Sequence, residues 1–393
     1  MIVFISDLDL KGSGYMHIAA NICQGLQRKG HDVKALGWGY TGEEHPFDFS
    51  IIPVPHRGAM TYSATALQNM IKLGLNIEAI IVALDIPLQL GLLSIPEREG
   101  IPFFSIFPVE SGPMTRSWAG GMLSANERFV ISQWGTKQAN LANCPSHYIE
   151  IGLDVDSWRM PTAEERAKLR GALGLGPDDF YILTVADNHE RKNLSGAVQA
   201  LSKAKKDVNL FWTLVSRLDF RAGWNIQDLV AEYGIGDTFM PYERGLAFSR
   251  LWALYAAADA FLLTSKAEGL CMPILEAMSV GVPVIATDCT AITEHLKDGR
   301  GLLVDPEYQT QDVWGNSWRH FIDTDKAAAA IVKLSKMGDE EKQEMIVKAR
   351  EYVVSRHPDA AANLLDTHLR KYKDKKRDHV KKEIKDAAAV AVL

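Results

Sequence analysis

Short apolar segments alternate with helical patterns along most of the 393-residue chain. Ile2–Ser6 is apolar and β-branched, and a loop with two glycines leads from it into a helical pattern over Tyr15–Lys29. Gly30 then stands where a helix C-cap belongs, and His31–Leu36 is the next strand pattern. Because a strand, a helix and a second strand in this order form a right-handed crossover between parallel strands, the segment predicts a parallel α/β sheet.

The alternation runs twice along the chain. Further strand patterns in the first part are Phe49–Pro53, Ala79–Ala83, Phe103–Phe107 and Arg128–Ser132. A helical pattern over Trp158–Leu173 and a turn-rich segment at residues 174–179 separate the two parts. Strand patterns in the second part are Tyr181–Val185, Leu210–Ser216, Thr238–Pro241, Ala260–Thr264 and Pro283–Ala286. At about 150 residues per domain, the chain predicts two doubly wound α/β domains, the second beginning near residue 155 or 180.

The composition excludes several classes of protein. Hydrophobic residues make up 47% of the chain, charged residues make up 23%, and the net charge is −6. These values argue against a disordered chain, a fibrous protein and a uniformly basic nucleic-acid binder. The four cysteines are scattered without metal-ligand spacing, which predicts free thiols in a reducing compartment. With no signal-peptide pattern and no apolar stretch of about 18 residues, we expect a cytoplasmic protein.

The charge is unevenly distributed. Residues 370–385 contain nine basic and three acidic side chains, a local charge of +6, so the remainder of the chain carries −12. We expect a solvated basic helix here, and the alternatives are contact with an anionic membrane surface or with nucleic acid. The segment has a single aromatic residue, Tyr372, so stacking on bases has little support.

The most informative segment is Ser265–Met278, which follows a strand pattern and opens a helix. In an open α/β sheet such a loop lies at the carboxyl ends of the strands, where ligands bind. Glu268 and Glu276 stand eight positions apart around Pro273, and their carboxylates could accept hydrogen bonds from vicinal hydroxyls of a sugar or a ribose. The alternative is a charged helix start on the surface.

Residues Glu268–Asp288 resemble the E-x₇-E block of the family-4 glycosyltransferases, which are retaining enzymes of the GT-B fold. Gly25–Val33, Gly152–Asp154 and Leu254–Ala260 also resemble segments of that family, and the resemblance covers residues 1–355. It implies two Rossmann-like domains that face each other across a cleft. The implied divisions are an acceptor domain at 1–155, a donor domain at 156–340, a helix crossing back at 341–369 and a basic tail at 370–393.

The resemblance also implies roles for individual residues. Glu268 would hold a hydroxyl of the donor sugar, Glu276 would bind the ribose, and Lys192 with Arg191 would neutralise the diphosphate. Apart from the resemblance, we expect Glu110 to lie closest to the acceptor and to orient its hydroxyl; the alternative is a loop carboxylate in solvent or in an ion pair. The residues expected to bind the donor are Gly12, Ser13, Gly14, Asn188, Gly269, Leu270, Cys271, Met272 and Glu276.

The sequence departs from the family pattern in three places. The family commonly has an arginine after the strand that precedes its lysine, but this chain has Ala186–His189 there, so either Arg191 takes over the charge or Lys192 works alone. Cys271 stands where a glycine is usual. The loop after Phe103–Phe107 lacks the histidine of many members and offers Glu110 instead, with Trp118 nearby.

These features predict metal-independent, retaining transfer of a sugar from a nucleotide-sugar donor, UDP- or GDP-linked, to an acceptor hydroxyl. No resident cofactor is expected, because the departing diphosphate can be stabilised by cationic side chains and a helix N-terminus. The acceptor stays open among a glycan, a lipid, a small molecule and a nucleic acid. The alternative functions are a nucleotide-sugar epimerase or hydrolase on the same fold, and a nucleotide-sugar-binding module without catalysis. A peripheral position at a membrane is the alternative location.

Overall fold

The computed structural model describes residues 1–11, 14–93, 100–110, 112–219 and 223–374. The strands are β1 (Ile2–Asp7), β2 (Val33–Trp38), β3 (Ser50–Val54), β4 (Ala79–Ala83), β5 (Phe103–Phe107), β6 (Glu127–Val130), β7 (His147–Tyr148), β8 (Phe180–Val185), β9 (Leu210–Ser216), β10 (Phe239–Glu243), β11 (Ala260–Leu263), β12 (Val284–Thr287), β13 (Leu302–Val304), β14 (Pro306–Gln311) and β15 (Trp318–Ile322). The helices are α1 (Gly14–Arg28), α2 (Ala59–Lys72), α3 (Ile86–Leu93), α4 (Arg116–Met122), α5 (Gln133–Leu141), α6 (Ala163–Ala172), α7 (Leu194–Ala204), α8 (Ile226–Glu232), α9 (Phe248–Ala257), α10 (Met272–Val280), α11 (Thr290–Leu296), α12 (Thr324–Ser335), α13 (Asp339–Val354) and α14 (residues 360–374).

The first domain is built on a seven-stranded parallel sheet in the order β3-β2-β1-β4-β5-β6-β7. Its central strands are almost wholly apolar, and every residue of β4 and β5 is buried. A strand that carries apolar side chains on both faces needs helices on both sides of the sheet, which the βαβ crossovers provide. The prediction of a parallel α/β sheet is therefore confirmed for this half of the chain.

The second domain repeats the arrangement with a six-stranded parallel sheet in the order β10-β9-β8-β11-β12-β13. The strands β11 and β12 are completely buried, and Trp212 of β9 is the largest fully buried side chain. In each sheet the strand order reverses once, between β1 and β4 and between β8 and β11. Open α/β sheets bind their ligands at such reversal points, outside the carboxyl ends of the strands.

The chain returns to the first domain at its carboxyl-terminal end. Helix α13 packs against α10 of the second domain, and the path turns at Pro358 into α14. On α14, the Asp366 carboxylate lies 2.8 Å from His31 Nε2 and the Tyr372 ring contacts Phe104 edge-on. The predicted basic tail lies outside the described residues from position 375 onward.

The structure corrects one sequence prediction and adds one element that was not predicted. The helix predicted from Trp158 begins only at Ala163, because Thr162 and Glu165 form a capping box that fixes the start there. Trp158 instead packs against Phe248 and Tyr255 in the second domain. The antiparallel hairpin β14–β15 was not predicted, since β14 is almost entirely exposed and β15 has a buried arginine and half-buried positions in place of an apolar run. Within the described residues, no helix has both the length and the apolar character needed to cross a bilayer.

Candidate active site

A cavity of about 710 Å³ lies between the two domains. The segments that line it follow the carboxyl ends of β1, β4 and β5 in the first domain and of β8, β9, β10 and β11 in the second. The reversal points of both sheets therefore open into the same space. The donor and acceptor halves of a two-substrate site can face each other in such a cleft.

The centre of the cavity holds a cluster of ionised side chains. Glu268, which follows β11, accepts a 2.6 Å hydrogen bond from Lys192 Nζ through one carboxylate oxygen. Its other oxygen lies 2.9 Å from Arg191 Nη1. The second guanidinium nitrogen, Nη2, lies 3.0 Å from Glu110 Oε1 of the first domain. Arg191 thus joins the two predicted carboxylates across the cleft.

The cluster sets the protonation of both carboxylates. Burial alone would raise the pKa of Glu268, but the Arg191 and Lys192 charges and the Lys192 hydrogen bond outweigh it and hold that pKa well below its usual value. Burial raises the pKa of Glu110, and the attraction of Arg191 only partly offsets this. Asp85 and Glu268 raise the Glu110 pKa further by like-charge repulsion. Glu268 is therefore held as an anion, whereas burial and the neighbouring carboxylates disfavour the charged form of Glu110.

Glu276 is buried in the first turns of α10 and faces the same cavity. Tyr255 on α9 donates a 2.8 Å hydrogen bond to Glu276 Oε2. Burial raises the pKa of Glu276 to about 7, although the tyrosine hydrogen bond favours the charged form. A buried carboxyl with one oxygen held by Tyr255 and a position at the cavity wall can accept hydrogen bonds from a polyol.

The loop between Glu268 and α10 depends on two unusual backbone positions. A Cβ atom at Gly269 would overlap the side chain of Pro108 from the first domain. Cys271 is the N-cap of α10 and has a φ of 72°, a left-handed conformation that glycine adopts without strain. The glycine that the resemblance leads us to expect at 271 would suit this backbone, and the thiol is an added buried group.

The structure places the other predicted donor residues as follows. Gly14, Leu270 and Met272 line the cavity together with Gly269 and Cys271. Asn188 does not line it, because its buried side chain is bonded to Trp224, donating to the carbonyl and accepting from the N–H. Gly12 and Ser13 lie outside the described residues.

Sequence reasoning missed two arginines at the cavity. Arg217 follows β9, and its Nη2 lies 2.9 Å from Asp187 Oδ2 at the end of the neighbouring β8. Arg244 follows β10, and its Nη2 lies 3.1 Å from Asp9 Oδ2 across the cleft. Their positions directly after strand patterns were a usable signal, since every carboxyl end of a parallel sheet meets the same edge.

Two further first-domain residues belong to the site without having been predicted. Tyr15, at the start of α1, donates a 2.5 Å hydrogen bond to Asp85 Oδ1, which follows β4. Burial and the adjacent Asp85 carboxylate raise the pKa of Tyr15 well above its usual value, so it stays a phenol. One carboxylate oxygen of Asp85 therefore accepts a hydrogen bond from the neutral Tyr15 hydroxyl at the wall of the cavity.

The β14–β15 hairpin reaches from the second domain to the loop that holds Glu110. Trp314 at its tip contacts Trp118 edge-on, with ring centroids 5.8 Å apart. A small cavity of about 20 Å³ lies beneath this pair and is lined by Asp85, Glu110 and Ser317, among others. Trp118, singled out near the acceptor loop, therefore contacts a second tryptophan, Trp314, that was not expected at this position.

Residues 165–352 match the family described as glycosyl transferases group 1. Over 200 residues, 47% of this chain and 48% of the relative, the chain is 27% identical to the D-inositol 3-phosphate glycosyltransferase of Paenarthrobacter aurescens. Over 148 residues, 35% of this chain and 38% of the relative, it is 32% identical to the O-antigen chain mannosyltransferase B of Escherichia coli. The chain thus spans about half the length, or less, of these curated relatives.

Solved structures share the whole architecture. Anabaena HepE in complex with UDP and glucose superposes with a TM-score of 0.69 at 16% identity, covering 94% of this chain and 99% of that chain. At such identity the likeness shows the fold, which is the GT-B arrangement of two Rossmann-like domains. The prediction of a GT-B fold is confirmed. The chain has the GT-B fold, and its residues 165–352 match the glycosyl transferases group 1 family.

Proposed function

We propose that the protein transfers a sugar, with retention of configuration and without a metal ion, from a nucleoside-diphosphate sugar to an acceptor hydroxyl. The observation that carries the proposal is the cluster of Glu268, Lys192 and Arg191, placed where both domains open into one cavity. The names of the two relatives, both glycosyltransferases, agree with this chemistry.

Lys192 is the group best placed to stabilise the departing diphosphate. Its ammonium has three N–H donors and donates one of them to Glu268, which leaves two for a ligand in the cavity. Arg191 instead divides its guanidinium among Glu268, Glu110 and the carbonyl of Ala267. We therefore assign the diphosphate to Lys192 and treat Arg191 as the residue that positions the two carboxylates.

Arg217 would supply additional positive charge beside the diphosphate. It lines the cavity next to Asp187, at the strand end where the family's usual arginine is missing. Charge that develops on the leaving group is stabilised most effectively by donors already in place. An arginine contributed by β9 can serve this purpose as well as one contributed by β8.

The donor and acceptor would occupy opposite walls. Glu268 would accept hydrogen bonds from the donor sugar and Glu276 from the ribose, and backbone amides of Gly269–Met272, which line the cavity, would meet the sugar or the diphosphate. Glu110, on the first-domain wall of the cavity, would orient the acceptor hydroxyl. The leaving phosphate can take the acceptor proton on the same face, so the reaction needs no protein nucleophile. UDP, present in the HepE structure, and GDP are both donor candidates.

A thermal-shift screen with UDP- and GDP-sugars tests the first half of the proposal, because a ligand that binds the native state raises Tm by mass action. The shift should be lost in Glu268→Ala and kept in Glu351→Ala, a substitution of an exposed glutamate on α13. The donor found in this way is then incubated with a panel of glycan, lipid and small-molecule acceptors. NMR of the product reports the anomeric configuration.

The outcomes separate the alternatives. Transfer with retention in the presence of a chelator supports the proposal. Rapid release of free sugar or of an epimer without any acceptor would instead identify a hydrolase or an epimerase. Nucleotide binding without turnover on the whole panel would identify a binding module.

A further inference from the structure

Three side chains of the types that can ligate a metal ion lie together at the edge of the first sheet opposite the cleft. Glu127 is the first residue of β6, His147 is the first residue of β7, and His368 lies on α14. Glu127 Oε2 is 3.5 Å from His147 Nε2 and 3.2 Å from His368 Nδ1. All three ligand atoms lie within 4.8 Å of one another.

The two separations from the Glu127 oxygen suit a tetrahedral zinc ion. Zinc–nitrogen and zinc–oxygen bonds are about 2.0–2.2 Å long, so two ligand atoms around a tetrahedral ion are separated by about 3.3 Å. The two measured distances to the Glu127 oxygen bracket that value. Two imidazoles and one carboxylate form a ligand set that zinc accepts, with a fourth position left for water.

The hydrogen-bond pattern of His368 is that of a side chain able to ligate a metal ion. Its Nδ1 atom is buried and makes no hydrogen bond, although the Glu127 carboxylate is 3.2 Å away. The nitrogen and the carboxylate oxygen are close together but do not have hydrogen-bond geometry. Two atoms that ligate the same metal ion have this arrangement. The His147 side chain is 55% exposed, which leaves an entry path from solvent.

Aromatic packing holds the two imidazoles in place. The His368 ring contacts Phe129 edge-on at a centroid distance of 5.1 Å and Phe104 at 6.5 Å. The His147 ring lies 5.7 Å from the same Phe129 and 4.9 Å from His368. Because the phenylalanines are fully buried, the site is supported by rigid neighbours, as a metal site requires.

We propose that Glu127, His147 and His368 bind one zinc ion that fastens α14 to the first domain. The ion would lie apart from the cleft, because it is at the amino ends of β6 and β7, whereas the cleft lies at the carboxyl ends of the strands. It would tie the returning end of the chain to the domain where the chain begins. The proposal does not depend on the proposed function of the cleft.

The full chain, dialysed against EDTA and then freed of chelator, is titrated with ZnCl₂ by calorimetry, with Tm measured alongside. We expect one zinc ion per chain, a higher Tm with zinc, and intense visible bands when Co²⁺ replaces it. His147→Gln should lower the zinc affinity at least tenfold, since even second-shell changes cost that much. His357→Gln, on the exposed segment before α14, is the matched control and should bind as the unaltered chain does.

His368→Gln should abolish the cobalt bands as well. The His368 ring packs on Phe129, so its loss could prevent folding. In that case the His147→Gln variant, altered at an exposed side chain, tests the proposal by itself. Failure of the unaltered chain to bind zinc, or equal zinc binding by His147→Gln and His357→Gln, would overturn the proposal.

Discussion

Gly269 lies against Pro108, so close that a methyl group at residue 269 would overlap the proline side chain. Gly269 belongs to the loop that leads into α10 of the second domain, and Pro108 follows β5 of the first. The Cβ position at 269 also falls 3.6 Å from the Glu110 side chain. The width of the cleft at its centre therefore depends on the absence of a side chain at residue 269.

Gly269→Ala should lower kcat/KM for transfer at least tenfold, because the loops must separate and a displacement of about 1 Å can cost 10²-fold in rate. Urea unfolding should change little, since the domains can part without unfolding. Gly171→Ala, in the last turn of α6 with no atom near its Cβ position, is the control. It should leave transfer unchanged and stabilise the chain by about 0.4–1 kcal/mol, because alanine reduces the conformational entropy of the unfolded chain. Equal activity of the two variants would show that the contact does not set the cleft width.

Arg191→Lys should fail despite keeping the charge. The guanidinium reaches Glu110, Glu268 and the Ala267 carbonyl together, and a single ammonium cannot reproduce that fork. We expect about 2–4 kcal/mol less stability in urea and at least a hundredfold slower transfer, because buried carboxylates lose a partner. Arg28→Lys, at an exposed side chain that contacts Asp359 through a single nitrogen, is the control and should behave as the unaltered chain. Full activity of Arg191→Lys would refute the positioning role.

Glu276 should make the free energy of unfolding depend on pH. Its folded-state pKa is raised to about 7 by burial, against an ordinary value of 4.5, so the folded state holds a proton that the unfolded state has lost between these values. Stability should therefore fall as pH rises through this window, by at most about 1.4 kcal/mol per pH unit. Urea titrations of the unaltered chain and Glu276→Gln measure it. Identical pH slopes for the two proteins would contradict the prediction.

Cys271→Gly should keep both activity and fold, because glycine adopts the left-handed conformation of residue 271 without strain. Cys271→Val should cost about 1–3 kcal/mol beyond any packing effect, since a β-branched residue is strained there. Cys289→Val places the same side chain at a buried position with an extended backbone, at φ −159°, and isolates the backbone contribution. Thermal unfolding compares the three variants, and equal Tm values for the two valine variants would contradict the prediction.

Much of the fold could be predicted because its strands and helices follow local patterns of apolar residues. The strands β4, β5 and β9 lie at the predicted residues, since a fully buried parallel strand is a continuous apolar run in the sequence. The exposed hairpin β14–β15 has no such run and was missed. Glu268 and Glu276 could be singled out because both lie around one helix start, a few residues apart in the chain.

The sequence by itself determined the two parallel sheets and the loops that face the cleft, because strand periodicity and helix starts are properties of neighbouring residues. Only the tertiary structure decided which residues from different loops meet. It brought Arg191 to Glu110, paired Arg217 with Asp187, and joined Glu127 to His368. These contacts link residues far apart in the chain, and their energies depend on distances and burial that exist only after the strands have packed.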